Sequence, residues 1–299
     1  MRRSSRLVIV SIVLLLGSAF LAAFEWFEHI YQGMVYSGEE LEEIRGEDPE
    51  GLSFITHLWR PVFISTALLG LLLLFVATGS GAVIRKVSDI CAWISISIGK
   101  AVSWLIMILI LIIMFDVVTR KIQYIKEKNA YITENFGFSV SFILQDLQWH
   151  IHGVLLLMTF GFGYMLNAHV RVDIFREAAS RRGQAWIETL GIVFFAVPFM
   201  LVMIGFSWDL FYASFTGWEG SESMVGLGWR WIIKSFLIWG FCVALIAAVA
   251  TLMRCVNYLW GDLEEQAIAE DSLQFFTDND AMPKLILEEN EAAQREGGQ

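Results

Sequence analysis

The sequence predicts an all-α integral membrane protein of about six transmembrane helices with short interfacial amphipathic helices. Three observations lead there. Hydrophobic residues make up 56% of the 299, and 12 tryptophans with 23 phenylalanines are far more than a water-soluble domain of this size needs. Apolar runs recur that are each long enough to cross a hydrocarbon core of roughly 30 Å as a helix. In hydrocarbon every backbone polar group must find its partner inside the chain, which leaves helices as the form these runs take. The formal net charge of −10 is also confined. Residues 25–60 hold nine acids against Arg45 and Arg60, and the tail from Gly261 holds eleven against Lys284 and Arg295. The rest of the chain is net positive, and the acidity argues against a nucleic-acid partner.

The expected spans are 7–24, 61–80, 94–115, 143–166, 187–212 and 231–253. The first follows Arg2, Arg3 and Arg6, as a signal peptide would, but its apolar stretch is long. "GSAFLAAFEWF" offers no A-x-A cleavage site, so a retained helix is expected. Between the third and fourth spans, Val118, Ile122, Ile125, Ile132 and Phe136 recur at steps of three, four and seven with charges between. That pattern reads as an amphipathic helix on the membrane surface or as a solvated linker. After the fourth span Asp173 is placed to cap a short surface helix, with Arg181 and Arg182 in its last turn and Gly183 beyond it. Ser180 could instead cap the fifth span. The acidic tail after Gly261 is expected to be largely mobile, with room for one short helix. Tryptophans gather at span ends (Trp26, Trp59, Trp93, Trp149, Trp186, Trp208, Trp229, Trp231), as an interfacial aromatic belt requires.

Orientation follows from lysine and arginine. One side carries Arg2, Arg3, Arg6, Arg85, Lys86, Arg171, Arg176, Arg181, Arg182 and Arg254; the other carries Arg45, Arg60, Arg120, Lys121, Lys126, Lys128 and Arg230. The richer side is expected in the cytoplasm, with both termini there.

The residues give little sign of chemistry. No GxxxxGK[ST], HExxH or GxSxG motif occurs, and Cys91, Cys242 and Cys255 are far apart in or beside apolar runs. His150 and His152 stand about 200° apart around a helix, so they cannot face one haem together. No cofactor is expected. The ionisable residues in or near spans (Lys100, Asp116, Asp146, Glu188, Asp209, Lys234) mostly lie near span ends, where they can meet water. Pro198 alone breaks a span, unlike the paired broken helices of transporter binding sites. The glycines of "GFGYML" read as close helix packing.

Residues 146–175, "DLQWHIHGVLLLMTFGFGYMLNAHVRVDIF", resemble the small membrane subunit of tripartite ATP-independent periplasmic (TRAP) transporters, the DctQ-like family. The resemblance rests on an acid before Trp-His, then a span bearing small residues, then H-V-R-V-D. "DVVTRK" at 116–121 is similar to a signature at the end of the preceding span. "EGSESMVGLGWRWIIK" at 219–234 resembles a further stretch of E-x-S, Arg-Trp and lysine. Asp146 stands where glutamate is common, Gly228 where proline is common, and the first 85 residues add two spans.

The resemblance implies a subunit without catalysis that braces a large, sodium-coupled elevator subunit (DctM-like) supplied by a periplasmic solute-binding protein. It implies a bacterial inner membrane and a small, commonly anionic organic solute. The residues it singles out for structure or a subunit interface are Asp146, Trp149, His150, His169, Arg171, Asp173, Glu219, Ser221 and Lys234. The chain then divides into an N-terminal extension (1–92), a four-helix membrane domain (93–258) and an acidic cytoplasmic tail (259–299). A reading of another class is a haem- or quinone-associated membrane anchor of a respiratory enzyme.

Overall fold

The computed structural model describes residues 7–18, 49–168, 179–221 and 225–273. His169, Arg171 and Asp173 fall outside these residues. Within them the chain is helical: α1 (Leu7–Ser18), α2 (Pro49–Ala77), α3 (Gly81–Ser103), α4 (Leu105–Lys121) and α5 (Gln123–Phe136) come first. Next are α6 (Val140–Met165), α7 (Arg181–Gly191), a π-helical turn (Ile192–Ala196) and α8 (Val197–Thr216). The series ends with α9 (Trp231–Trp260) and α10 (Leu263–Ser272).

Four stretches among the described residues are long and apolar enough to cross a membrane: Arg60–Ala77, Gly81–Lys121, Arg181–Thr216 and Trp231–Trp260. The expected span 94–115 turns out to be part of a 41-residue helical run, α3 plus α4, with a slight break at Trp104. α6 also has the length, 26 residues, but Gln145, Asp146, Gln148, His150 and His152 dilute its first half.

α9 is the centre. It packs against α2, α3, α6, α7, α8 and α10, and its residues from Ala244 to Val256 supply much of the main core with Ile192, Val193, Val197, Leu72 and Leu73. Small residues let three helices meet closely. A Cβ on Gly99 of α3 would overlap Phe162 of α6, one on Gly161 would fall 2.7 Å from Ser95 Oγ, and one on Gly240 of α9 would fall 2.9 Å from Leu157 Cβ. Close backbone approach of this kind is how membrane helices gain packing without a hydrophobic drive between them. α6 and α9 run parallel: Gly153 meets Ile233, and Met165 meets Thr251. α3 runs against both, with Gly81 near Asn257 and Ser95 near Val243 and Gly161.

The amphipathic stretch after α4 is a helix, α5, ended by Gly137 at φ +73. The expected surface helix reaching Arg182 is corrected here. Arg181, Arg182 and Gly183 form the first turn of α7, because Ser180 Oγ accepts from Gly183 N at 3.3 Å and starts the helix there. The first part of the acidic tail is α10, packed on α9 through Ala269 and Leu273, which are 6% and 5% exposed.

Pro198 shapes the middle of the Arg181–Thr216 stretch. Val197 N bonds back five residues to Ile192 O, so the next carbonyl, Val193 O, looks to residue 198, which has no N–H. Ser65 of α2 donates to Val193 O at 2.6 Å instead.

Candidate functional site at the two charged ends of the bundle

α4 delivers Asp116, and α6 delivers Gln145, Asp146 and Gln148, to the same end of the bundle. The loop between α8 and α9 closes over them. Asp146 accepts from Ser221 Oγ at 2.7 Å and from Leu227 N at 2.8 Å, so one carboxylate holds the loop on the first half of α6. A second carboxylate, Glu219, shuts the loop's neck. It accepts from Lys234 Nζ and from Ser214 Oγ at 2.7 Å, and Arg230 Nη1 lies 3.7 Å away. The backbones agree, with Arg230 N donating to Glu219 O at 3.2 Å. Trp218 and Trp229 flank this neck at φ 46 and 64, values that side-chain-bearing residues rarely adopt. The hydrogen bond from Lys234, then that from Ser214, hold the Glu219 carboxyl below the usual carboxylate range, helped by the charges of Lys234 and Arg230. Ser139 N donates to Val225 O at 2.8 Å, and Asn129 bridges Ser139 Oγ and Val140 N, so α5 joins the same assembly.

The structure therefore brings Asp146, Ser221, Glu219 and Lys234 to one end of the bundle, in two carboxylate clusters joined by loop 217–230. Trp149 points away at 78% exposure, and His150 Nδ1 lies 2.6 Å from its own helix's Asp146 O. Sequence reasoning missed the neighbour to this pair of clusters. Asp116, only 4% exposed, takes both Nε (2.9 Å) and Nη2 (2.7 Å) of Arg120 and the amide of Gln148 at 3.3 Å. Gln145, with its amide oxygen toward Arg120, accepts from the same guanidinium. The signal was present: acid and arginine four apart in "DVVTRK" face one another on a helix.

At the opposite end the charge count puts Arg85, Arg181 and Arg254 on one side but gives them no partners. Arg85 of α3 pairs with Glu265 at 3.0 Å, Arg181 of α7 with Glu270 at 2.5 Å, and Arg254 of α9 donates to Ser272 O at 3.2 Å. Arg254 also reaches Ser88 Oγ (3.1 Å) and Asp89 (3.3 Å). Three helices thus each offer a guanidinium to the acidic α10. Tyr164 Oη donates to Glu188 at 2.7 Å and ties α6 to α7. Among the described residues no group of three or more His, Cys, Asp or Glu could hold a metal ion.

These are structural clamps at both ends of a closely packed bundle. Against known proteins, residues 109–257 match the family described as "Tripartite ATP-independent periplasmic transporters, DctQ component". No curated protein and no solved structure matches the chain. The matched residues run from the buried Leu109 of α4 to Asn257, the residue of α9 that holds Gly81 O, and so enclose the carboxylate clusters of Asp146 and Glu219. Through residues 109–257 the chain belongs to the DctQ family, the small membrane component of tripartite ATP-independent periplasmic transporters.

Proposed function

We propose that this chain is the fixed scaffold on which a large DctM-like subunit moves a small, anionic organic solute, coupled to sodium and delivered by a periplasmic solute-binding protein. The observation that carries the reading is the contact of α3, α6 and α9 through Gly99, Gly161 and Gly240. Backbones in such contact cannot slide past one another, which is what a brace for a moving partner requires. The clamps at Asp116, Asp146 and Glu219 stiffen one end, and the α10 contacts stiffen the other.

In this reading the chain lies in a bacterial inner membrane with six spans, α1 and α6 included, and both termini in the cytoplasm. Loop 217–230 and α5 then face the periplasm, and α10 faces the cytoplasm. Residues 1–92 are an addition to the four-helix domain of 93–258, joined to it without a gap because α3 runs through residue 92. His169, Arg171 and Asp173, outside the described residues, keep the structural or subunit-interface role that the resemblance implies. The test is reconstitution. Liposomes holding this chain alone should show no sodium-dependent uptake, and liposomes holding it with its large subunit and binding protein should show it. Uptake by the chain alone removes the scaffold reading.

A further inference from the structure

The long helix α3–α4 has two unlike faces. One carries Ala92, Ser95 and Gly99, all buried against α6 and α9. The other carries Trp93, Trp104, Leu111 and Met114, at 68%, 76%, 66% and 58% exposure. Lys100 stands in the middle of that second face, seven residues after Trp93 and four before Trp104, and it is exposed. Of the other charges of this helix, Arg85 is answered by Glu265, Asp89 by Arg254 and Asp116 by Arg120, while Lys86 and Lys121 stand near its two ends, where they can meet water. Lys100 makes no hydrogen bond or ion pair among the described residues.

Its depth makes this informative. Lys100 lies eleven residues past Asp89 and sixteen before Asp116. At 1.5 Å per residue those are about 16 Å and about 24 Å of helix. A hydrocarbon band of roughly 30 Å fitted anywhere between the two acids contains Lys100. A cation there is costly facing lipid, and such residues are kept where something pairs with them. The partner comes from outside this chain's described residues and presents an anion within the hydrocarbon band.

From this we infer that the Trp93–Lys100–Trp104 face seats a spanning helix of the large subunit, and that this helix offers a carboxylate to Lys100. The inference rests on the scaffold reading. It also goes beyond the family match, because Lys100 lies before the matched residues 109–257. The tryptophans on either side fit the role, since large rigid side chains around a single charge exclude lipid and water from the pair.

The chain is tagged and co-expressed with its large subunit, and the large subunit recovered with it from detergent is measured. Lys100→Leu and Lys100→Glu should each lower recovery by about thirtyfold or more, the scale of breaking a desolvated ion pair, while Lys100→Arg keeps most of it. The isolated Lys100→Leu chain should melt no lower than wild type, which separates lost docking from lost folding. Lys100→Cys should cross-link to a spanning segment of the large subunit in native membranes. Wild-type recovery with Lys100→Leu would show a lysine that merely faces lipid. Self-cross-linking of Lys100→Cys would show a second copy on this face. Either result overturns the inference while leaving the scaffold reading intact. Absence of the large subunit from the wild-type sample would instead sink the scaffold reading, and this inference with it.

Discussion

At Val193 a single carbonyl shows how this chain settles a local conflict. Proline at 198 removes the N–H that the π-helical turn would give it, and Ser65, fully buried, supplies a hydroxyl from another helix. Interhelical hydrogen bonds in membranes average about 0.6 kcal/mol in double-mutant cycles. A stranded buried acceptor costs about 1–3 kcal/mol. Ser65→Ala is therefore expected to cost about 1 kcal/mol, read as a lower melting temperature in detergent. In a Pro198→Ala background the backbone regains its own donor, so the same change should cost less. Equal losses in both backgrounds would refute the account. Glu219 gives a second expectation, in pH. Its folded carboxyl is held below the ordinary glutamate value, so its contribution is present above the unfolded value and fades as pH falls through the lowered folded one. Glu219→Gln should thus flatten the acid side of the stability profile below about pH 4.5 and change little of its slope at neutral pH.

Helices were the most legible level, and their faces the least. The helix expected at 143–166 is Val140–Met165, since an apolar run fixes a helix's existence more firmly than its ends. The boundary at Arg181 went the other way because Asp173 and Ser180 are both good caps, and only geometry chooses between them. Which glycines touch a neighbour was equally hidden, because a helix sequence shows a small side chain but not what faces it. Gly99 and Gly205 are alike on paper. Gly99 abuts Phe162, whereas a Cβ on Gly205 meets nothing within 4 Å. Gly99→Ala should destabilise by about 1–3 kcal/mol through overpacking. Gly205→Ala should be neutral or stabilise by up to about 1 kcal/mol through helix propensity. Thermal melts of the two variants side by side decide this, and similar melting points would mean that α3 and α6 are not in the contact described.

Over the whole molecule, the two ends carry unlike clamps, and the topology predicts which end meets the cytoplasm. In a background with Cys91, Cys242 and Cys255 replaced by Ala, Tyr131→Cys on α5 should react with an impermeant thiol reagent in cells with a permeabilised outer membrane. Leu263→Cys, at 85% exposure, should react only after the inner membrane is opened. The reverse pattern would invert the orientation. The charge count foresaw which residues share an end, because Arg85, Arg181 and Arg254 do gather around α10. It could not foresee their partners, which lie 180, 89 and 18 residues away along the chain.

That α9 is the centre of the bundle also bears on how the protein is made. The helix that α2, α3, α6, α7 and α8 all touch is, among the described residues, the last long one in chain order. Until it arrives, Gly99, Gly161 and the core faces of the earlier helices lack their main neighbour and can only wait in the bilayer. Between the end of α3 at Ser103 and the end of α9 at Trp260, synthesis at about 5–20 residues per second takes on the order of ten seconds or more. Nascent chains halted before Trp231 should consequently be cleared by membrane proteases, and those halted past Trp260 should survive.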